Sequence, residues 1–389
     1  LLLAAQRRIG ETKQMKNARV PAAGRKVFFA RNWVIVAGFL LFVLTPAFAD
    51  SSSVAERSVT KLADGIYVIR HKSAPNGFPQ GNTTVVIGER DVFVVDSCYL
   101  PSSAREDIAQ IRQWTDKPVR YLLNTHWHAD HTRGNFVYAE TFPSISIISQ
   151  TATRELIKGN YADHPENAVA VVRRGVETYR RYLDAGKTDD GTALTDGDKK
   201  QLRDILAGAD AVAAEFTNLV PKLPNVTFDR ELDLDLGNRE VQIKFLGRGN
   251  TAGDAIAFLP KEKILIAGDL VVHPGPYTGS GFPSEWIGTL EKMIEMSPQT
   301  IVPGHGEILH GTEYLSQLDE LAKTVFAQVT EQYYRLTIRA TLEDVQKAID
   351  LEALRTRFGP YFKDDAQNGE PYLDLEGLIK VSYEEIQPR

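Results

Sequence analysis

The sequence predicts an α/β (α+β) fold of two stacked β-sheets with helices packed outside them. Two observations carry that expectation. Short apolar runs rich in β-branched residues recur along the chain and are punctuated by longer segments of helical periodicity. The 340 residues from Asp50 onward are also enough to bury a large core without a disulfide, since Cys98 is the only cysteine.

In chain order, Ile66–Arg70, Thr83–Ile87 and Val92–Val95 read as strands joined by turns. A helix over about 102–114 follows, then a buried strand from Val119 that ends at Thr125, and another at Ser144–Ile148. After a helical interval the β pattern resumes at Glu231–Asp235, Val241–Leu246, Ala255–Leu259 and Ile264–Ala267, and again at Thr300–Gly306. Tyr314–Ile338 and Thr341–Phe358 read as two long helices, so that 311–389 forms a C-terminal helical appendage with no chemistry of its own.

The helical interval, about 151–222, has its own pattern. Pro165 opens a helix on which Val169, Val172, Val176, Tyr179 and Leu183 recur at helical spacing. A second helix carries Leu202, Ile205, Leu206, Ala209, Val212 and Phe216 on one face, and the Asp- and Gly-rich linker Lys187–Asp198 between them is solvated. Together they predict a helical hairpin inserted into the sandwich. A substrate wall and a packing element are both consistent with it.

The segment Asn124–His131 packs three of the chain's eight histidines and a carboxylate into six positions, His126 to His131. Imidazole and carboxylate together suit Zn²⁺, Mn²⁺ or Fe²⁺. The strand before it places these side chains on a turn. By the period-2 rule His126 and His128 share one side, while Asp130 and His131 face a neighbouring position. Two adjacent metal sites are a natural geometry, although one strand and loop complete neither.

His126-x-His128-x-Asp130-His131 after a buried strand resembles the hallmark of the metallo-β-lactamase superfamily, and later segments match in order. Ile264–Asp269 ends in Gly-Asp, where the family places a carboxylate bridging two metals; Thr300–Gly306 ends in Pro-Gly-His-Gly, where it places the last ligand, His305. Val92–Asp96 matches the strand whose terminal Asp supports the ligands from behind. The resemblance covers about 60–310 and implies an αββα sandwich whose ligand loops open on one edge. The implied ligands are His126, His128 and a share of Asp269 at the first site, with Asp130, His131, His305 and Asp269 at the second.

One motif departs from the pattern. In Leu246–Asp254 most relatives carry a histidine where this chain has Asn250, so the first site is expected to bind more weakly than the second. His273, four residues past Asp269, either substitutes for that ligand, touches substrate or is an ordinary loop histidine; His71, His164 and His310 read as structural or solvated. Arg248 and Asp254 are positioned to brace the Asn250 loop. The loop from Pro274 to Pro283, with Tyr277 and Phe282, is the expected substrate contact. Cys98, two residues after Asp96, reads as a small residue packed in a turn rather than a nucleophile.

Composition frames the site. The first 49 residues hold eight Lys or Arg against one Glu, whereas the whole chain has formal charge −6, so the remainder is strongly acidic. That balance argues against nucleic acid as substrate. Residues 1–49 read as an upstream extension before Met15 followed by a secretory signal: basic residues Arg25, Lys26 and Arg31, an apolar core Trp33–Leu44, and Ala47-Phe48-Ala49 as the cleavage site. The core is too short for a stable membrane span. An exported, periplasmic protein is expected, with 50–310 as the metal-binding domain.

The function these readings imply is metal-dependent hydrolysis of an ester, lactone, amide or similar bond in a small molecule, with one or two zinc ions, iron or manganese being the alternatives. Asp130 is the expected catalytic residue, orienting water or moving its proton. Action on β-lactam antibiotics is the first alternative, and a non-catalytic or redox member of the fold is the second. Within the resemblance, Asp269 leans toward glyoxalase-like or lactonase-like relatives. His128 stands where flavo-diiron proteins carry Glu, and Asn250 replaces an iron ligand of persulfide dioxygenases.

Overall fold

A computed structural model describes residues 57–387 apart from 163–165, 190, 192, 218, 337–339 and 364–372. The expected signal segment, Pro165 and His164 lie outside the described residues.

The first sheet has seven strands in sequential order: β1 (Ser58–Ala63), β2 (Ile66–Arg70), β3 (Thr83–Ile87), β4 (Val92–Val95), β5 (Val119–Leu123), β6 (Ser146–Gln150) and β7 (Val226–Phe228). Strands β1 to β4 are antiparallel neighbours, and β4 to β7 run parallel. Each parallel step needs a crossover, supplied by α1 (Pro101–Trp114), by α2 (Ala129–Thr132) with α3 (Asn135–Thr141), and by the helical insertion. The second sheet orders β13 (Leu309–His310), β12 (Thr300–His305), β11 (Ile264–Val272), β10 (Ile256–Leu259), β9 (Glu240–Lys244) and β8 (Glu231–Asp235).

Alternation along these strands builds the layers. Ile66, Val68, Phe93, Val95, Leu123 and Ile148 meet Val241, Ile243, Ala257, Ile264, Ile266 and Val302 between the sheets. Their chain neighbours Ile69, Val92, Val94, Leu122 and Ile147 point the other way, onto Ala104, Ile108 and Ile111 of α1 and Val137 and Tyr138 of α3. On the far side Phe258, Leu265 and Ala267 pack on α7 (Pro283–Glu295) and α8 (Glu313–Leu336). The result is the expected αββα sandwich. Strands covered on both faces read as unbroken apolar runs, which is why they were legible.

Within the insertion, α4 (Thr151–Ile157) and a π-helical turn lead to α5 (Asn167–Ala185) and α6 (Asp196–Phe216). Gly186, at φ +65°, ends α5, and Thr195 with Asp198 forms a capping box that starts α6 inside the segment expected to be linker. Ala168, Val172, Ala209, Val212 and Phe216 pack on Phe78, Tyr99 and Ala129. Hydrogen bonds also tie the insertion to the sandwich. Glu215, near the end of α6, accepts hydrogen bonds from Ser102 N (2.9 Å) and Ser102 Oγ (2.8 Å) at the start of α1.

The C-terminal helices differ from the expected pair. Thr341–Phe358 is two helices, α9 (Leu342–Ala348) and α10 (Leu351–Phe358), because the Asp350 side chain accepts from Ala353 N and starts a new helix. A further helix, α11 (Leu375–Ile386), buries Leu375, Leu378 and Ile379 in the same core. No helix among the described residues is long and apolar enough to cross a membrane.

Candidate metal centre

Two strand ends and two returns of chain converge on one edge. The β5 ladder stops at Leu123, two residues earlier than expected, because Asn124 and Thr125 turn their side chains to a buried polar network. Asn124 and Asn135 exchange amide hydrogen bonds of 2.9 and 2.7 Å, and Ser97 Oγ donates to Asn135 Oδ1 at 2.8 Å. That network holds the two ends of the histidine loop together. Strand β11, by contrast, runs past Asp269 to Val272, with register shifts on either side of Gly268. Gly268 sits at φ +54°, and a Cβ there would lie 2.6 Å from the Thr125 side chain. The two sheets therefore approach each other closely where the ligand loops begin.

The protonation of His126 and His131 follows from their partners. Asp96, at φ +62° just after β4, accepts from Thr125 N (2.8 Å), from Thr125 Oγ1 (2.8 Å) and from His131 Nδ1 (2.8 Å). The Thr125 hydroxyl proton is thereby committed to Asp96, so its contact with His126 Nδ1 at 3.0 Å requires that nitrogen to donate. With Nδ1 donating, the neutral form of each ring carries its lone pair on Nε2, directed into the site.

The donor atoms form two groups. His126, His128 and Asp269 offer one set, and Asp130, His131 and His305 the other, with the donor atoms in each set within 4.8 Å of one another. Asp269 faces both: Oδ2 is 3.5 Å from His126 Nε2, while Oδ1 is 3.3 Å from His131 Nε2 and 3.6 Å from His305 Nε2. Asp130 Oδ2 lies 3.0 Å from His305 Nε2. All but His305 are buried, and its side chain is 18% exposed.

These residues fit a divalent metal on their own geometry. The Nε2 atoms of His131 and His305 face each other at 3.1 Å, close enough for an ion between the donors to take the place of a shared proton. His126 Nε2, Asp130 Oδ1 and Asp269 Oδ1 are buried and have no hydrogen-bond partner among the described residues. Convergent buried lone pairs of this kind call for a cation.

The electrostatics agree. Burial, with the neighbouring imidazoles, depresses His126 well below the usual histidine range, and burial brings His128 down to about 4. Burial opposes ionisation of Asp130 and Asp269, yet the charge of His131 and His305 outweighs it and holds both carboxyls low. His131 moves up despite burial because Asp269, Asp130 and Asp96 surround it. Neutral His126 and His128 and anionic Asp130 and Asp269 are in the protonation states that metal binding requires, whereas His131 would release a proton as an ion binds.

The remaining expected residues are placed as follows. Asn250 is buried, and neither atom of its amide has a hydrogen-bond partner among the described residues. Its loop is braced by Asp254, which accepts from Gly249 N, Thr251 N and Thr251 Oγ1 at 3.1, 2.7 and 2.7 Å, and whose pKa burial pushes up to about 7. Tyr277 packs its ring 5.7 Å from His128. Phe282 instead lies under the Arg248 guanidinium at 3.9 Å, and Arg248 pairs with Glu285. His273 joins neither donor group; its N–H donates to His305 O and its ring lies 5.7 Å from Tyr314.

Two features escaped the sequence reading. Asn82 Nδ2 donates to Pro303 O (2.9 Å) and Gly306 O (3.1 Å), and Asn82 N to Gly304 O, clamping the loop that carries His305. Arg133 is buried among Tyr99, Phe216 and Tyr161, at 4.8, 4.3 and 5.7 Å from their ring centres, beside a small apolar cavity that also touches Phe78, Trp127 and Asn160. Neither stands in a recognisable local motif, and both depend on contacts more than twenty-five residues apart.

Comparison with known proteins gives the same picture. The metallo-beta-lactamase superfamily model matches residues 76–305. A linear primary-alkylsulfatase of a Pseudomonas species is 24% identical over 282 residues, 70% of this chain and 50% of its own length, so the chain spans half of that relative. A type 2 metallo-beta-lactamase of Elizabethkingia meningoseptica is 22% identical over 299 residues, 75% of this chain and 94% of the relative. Among solved structures, the stereoselective inverting sec-alkylsulfatase of a Pseudomonas species superposes with a TM-score of 0.56 at 14% identity, over 85% of this chain and 50% of that one. With its sandwich, its ordered motifs and a family match over most of the chain, the protein belongs to the metallo-beta-lactamase superfamily.

Proposed function

We propose that the protein is a metal-dependent hydrolase that cleaves an ester, lactone, amide or related bond in a small molecule. The observation that carries this reading is the pair of donor groups sharing Asp269. Zinc is the ion the imidazole-rich set favours, with iron and manganese accepted by the same donors. A bound ion of this class supplies an acidified water near neutral pH and polarises the oxygen of the bond to be cleaved. Asp130 receives the water's proton: its Oδ2 is held by His305, and Oδ1 is buried without a hydrogen bond. Asp269 spans the two groups, and Asp96 fixes the ring of His131. Tyr277, over His128, and the aromatic wall around Trp127 and Tyr161 form the substrate side.

The alkylsulfatase relatives add sulfate esters to the bonds to be tested. The β-lactam reading is supported by the Elizabethkingia relative. Export to the periplasm is supported by the basic, apolar and small-residue pattern of residues 25–49.

The test is turnover by zinc-loaded protein on a carboxylic ester, a lactone, a primary alkyl sulfate and a chromogenic cephalosporin. Cleavage of at least one is expected, with loss of at least about a hundredfold in Asp130→Ala, the scale of general-base removal. Silence on all four with metal bound favours the non-catalytic reading. Full activity in Asp130→Ala overturns the role given to Asp130.

A further inference from the structure

A third set of metal-type donors lies outside both groups. Cys98 Sγ, His71 Nε2 and Asp107 Oδ2 come from the β4–α1 turn, the segment after β2 and helix α1. They stand 3.1 Å (Sγ–Oδ2), 3.3 Å (Sγ–Nε2) and 3.2 Å (Nε2–Oδ2) apart. All three side chains are at least 98% buried.

Two simpler arrangements fit poorly. In a nucleophile–base–acid relay the sulfur and the carboxylate engage opposite ring nitrogens. Here both face Nε2. A hydrogen-bonded knot is short of protons. Thr83 Oγ1 adds contacts of 3.3 Å to Nε2 and 3.5 Å to Sγ, making five among the four atoms, while its own proton is directed to Asp96 O. The thiol and one ring N–H supply two protons for those five contacts.

Lone pairs that converge on a common point are the arrangement a metal ion satisfies. Donors about 2.0–2.3 Å from one centre and roughly 100° apart at it are separated by about 3.2 Å. Thiolate, imidazole and carboxylate are a borderline-soft set that suits zinc rather than magnesium or calcium. The outer oxygen of Asp107 is fixed by Arg57 Nη2 at 3.0 Å, which orients the inner oxygen as supporting partners of metal-bound carboxylates do. Thr83 Oγ1 stands where a fourth donor would.

The geometry points to a separate structural site for a zinc-class divalent ion, held by His71, Cys98 and Asp107. Binding displaces the thiol proton to solvent and leaves all oxidation states unchanged. Its role is positional: Cys98, at φ +65°, and Asp96, at φ +62°, belong to one turn, and Asp96 holds His131. The ion would lock the turn that orients a ligand of the main centre.

Because Cys98 is the chain's single cysteine, sulfur-to-cobalt charge-transfer absorption in the near ultraviolet reports on it alone. Metal-free full chain titrated with Co²⁺ is expected to develop that band. Cys98→Ser is expected to lose the band and one metal equivalent, His71→Gln to lose or shift it, and His305→Ala to retain it. Cobalt-loaded wild type without the band overturns the proposal, and needs no variant to fold. A band unchanged in His71→Gln but lost in His305→Ala would assign the sulfur to the main centre and overturn it equally.

Discussion

His131 Nδ1 and Asp96 Oδ2 meet at 2.8 Å in a completely buried pair, and the same carboxylate takes both the N–H and the hydroxyl of Thr125. One side chain therefore fixes the ring of His131 directly and that of His126 through Thr125. Asp96→Asn breaks this arrangement while preserving size. Metal affinity is expected to fall about 10–100-fold, the usual effect of losing a partner behind a ligand. Competition against a chromogenic chelator measures it; unchanged affinity would show that the rings are held by packing alone.

Asn250 occupies a buried position without using either end of its amide. Asn250→His supplies the imidazole that the sequence resemblance leads one to expect there. The variant should fill the His126–His128–Asp269 group at lower free zinc than wild type. Identical stoichiometry and affinity in the two proteins would remove the argument for a weak first site.

The depressed His128 makes metal-free stability pH-dependent. Its pKa falls from 6.5 to about 4 on folding because burial disfavours the cation, so between those values the unfolded chain binds the extra proton. Its contribution is complete above pH 6.5 and is lost as the pH falls toward 4. The stability difference between wild type and His128→Gln should shrink over that window by about 1–3 kcal/mol. Denaturant unfolding of both proteins in chelator at pH 7.5 and 4.5 measures it; a difference that is constant, or grows on acidification, contradicts the assignment.

Gly304 gives a steric test. A Cβ at that position would lie 1.9 Å from Asp269 Oδ1 and 2.7 Å from Gly268 C, atoms that cannot all move aside. Gly304→Ala should cost about 1–3 kcal/mol and displace the carboxylate shared by the donor groups. Weaker metal binding together with a lower Tm is expected. Normal metal affinity would mean that Asp269 is not held where β12 passes it.

The sandwich and the candidate donors were legible for one reason: their signals are local. Runs such as Val92–Val95 are apolar on both faces, His126–His131 and His305 lie at the ends of such runs, and Asp269 interrupts one. The break at Ile349–Asp350 was missed because helical periodicity continues across it, and a side-chain cap outweighs periodicity. Phe282 looked like a substrate contact because it follows a ligand strand; what claims it is Arg248, thirty-four residues away in sequence. His71 read as structural or solvated because its partners Cys98 and Asp107 lie 27 and 36 positions off.

The donor groups draw on both halves of the sandwich. His126, His128, Asp130 and His131 follow a strand of the first sheet, and Asp269 and His305 belong to the second. A captured ion is consequently a rivet between the two sheets, joining stretches of chain that are more than a hundred residues apart. Its binding energy counts toward holding the sheets together, growing with the logarithm of free metal concentration. The supply of metal in the surroundings would thus bear on how stable the folded chain is as well as on whether it can act.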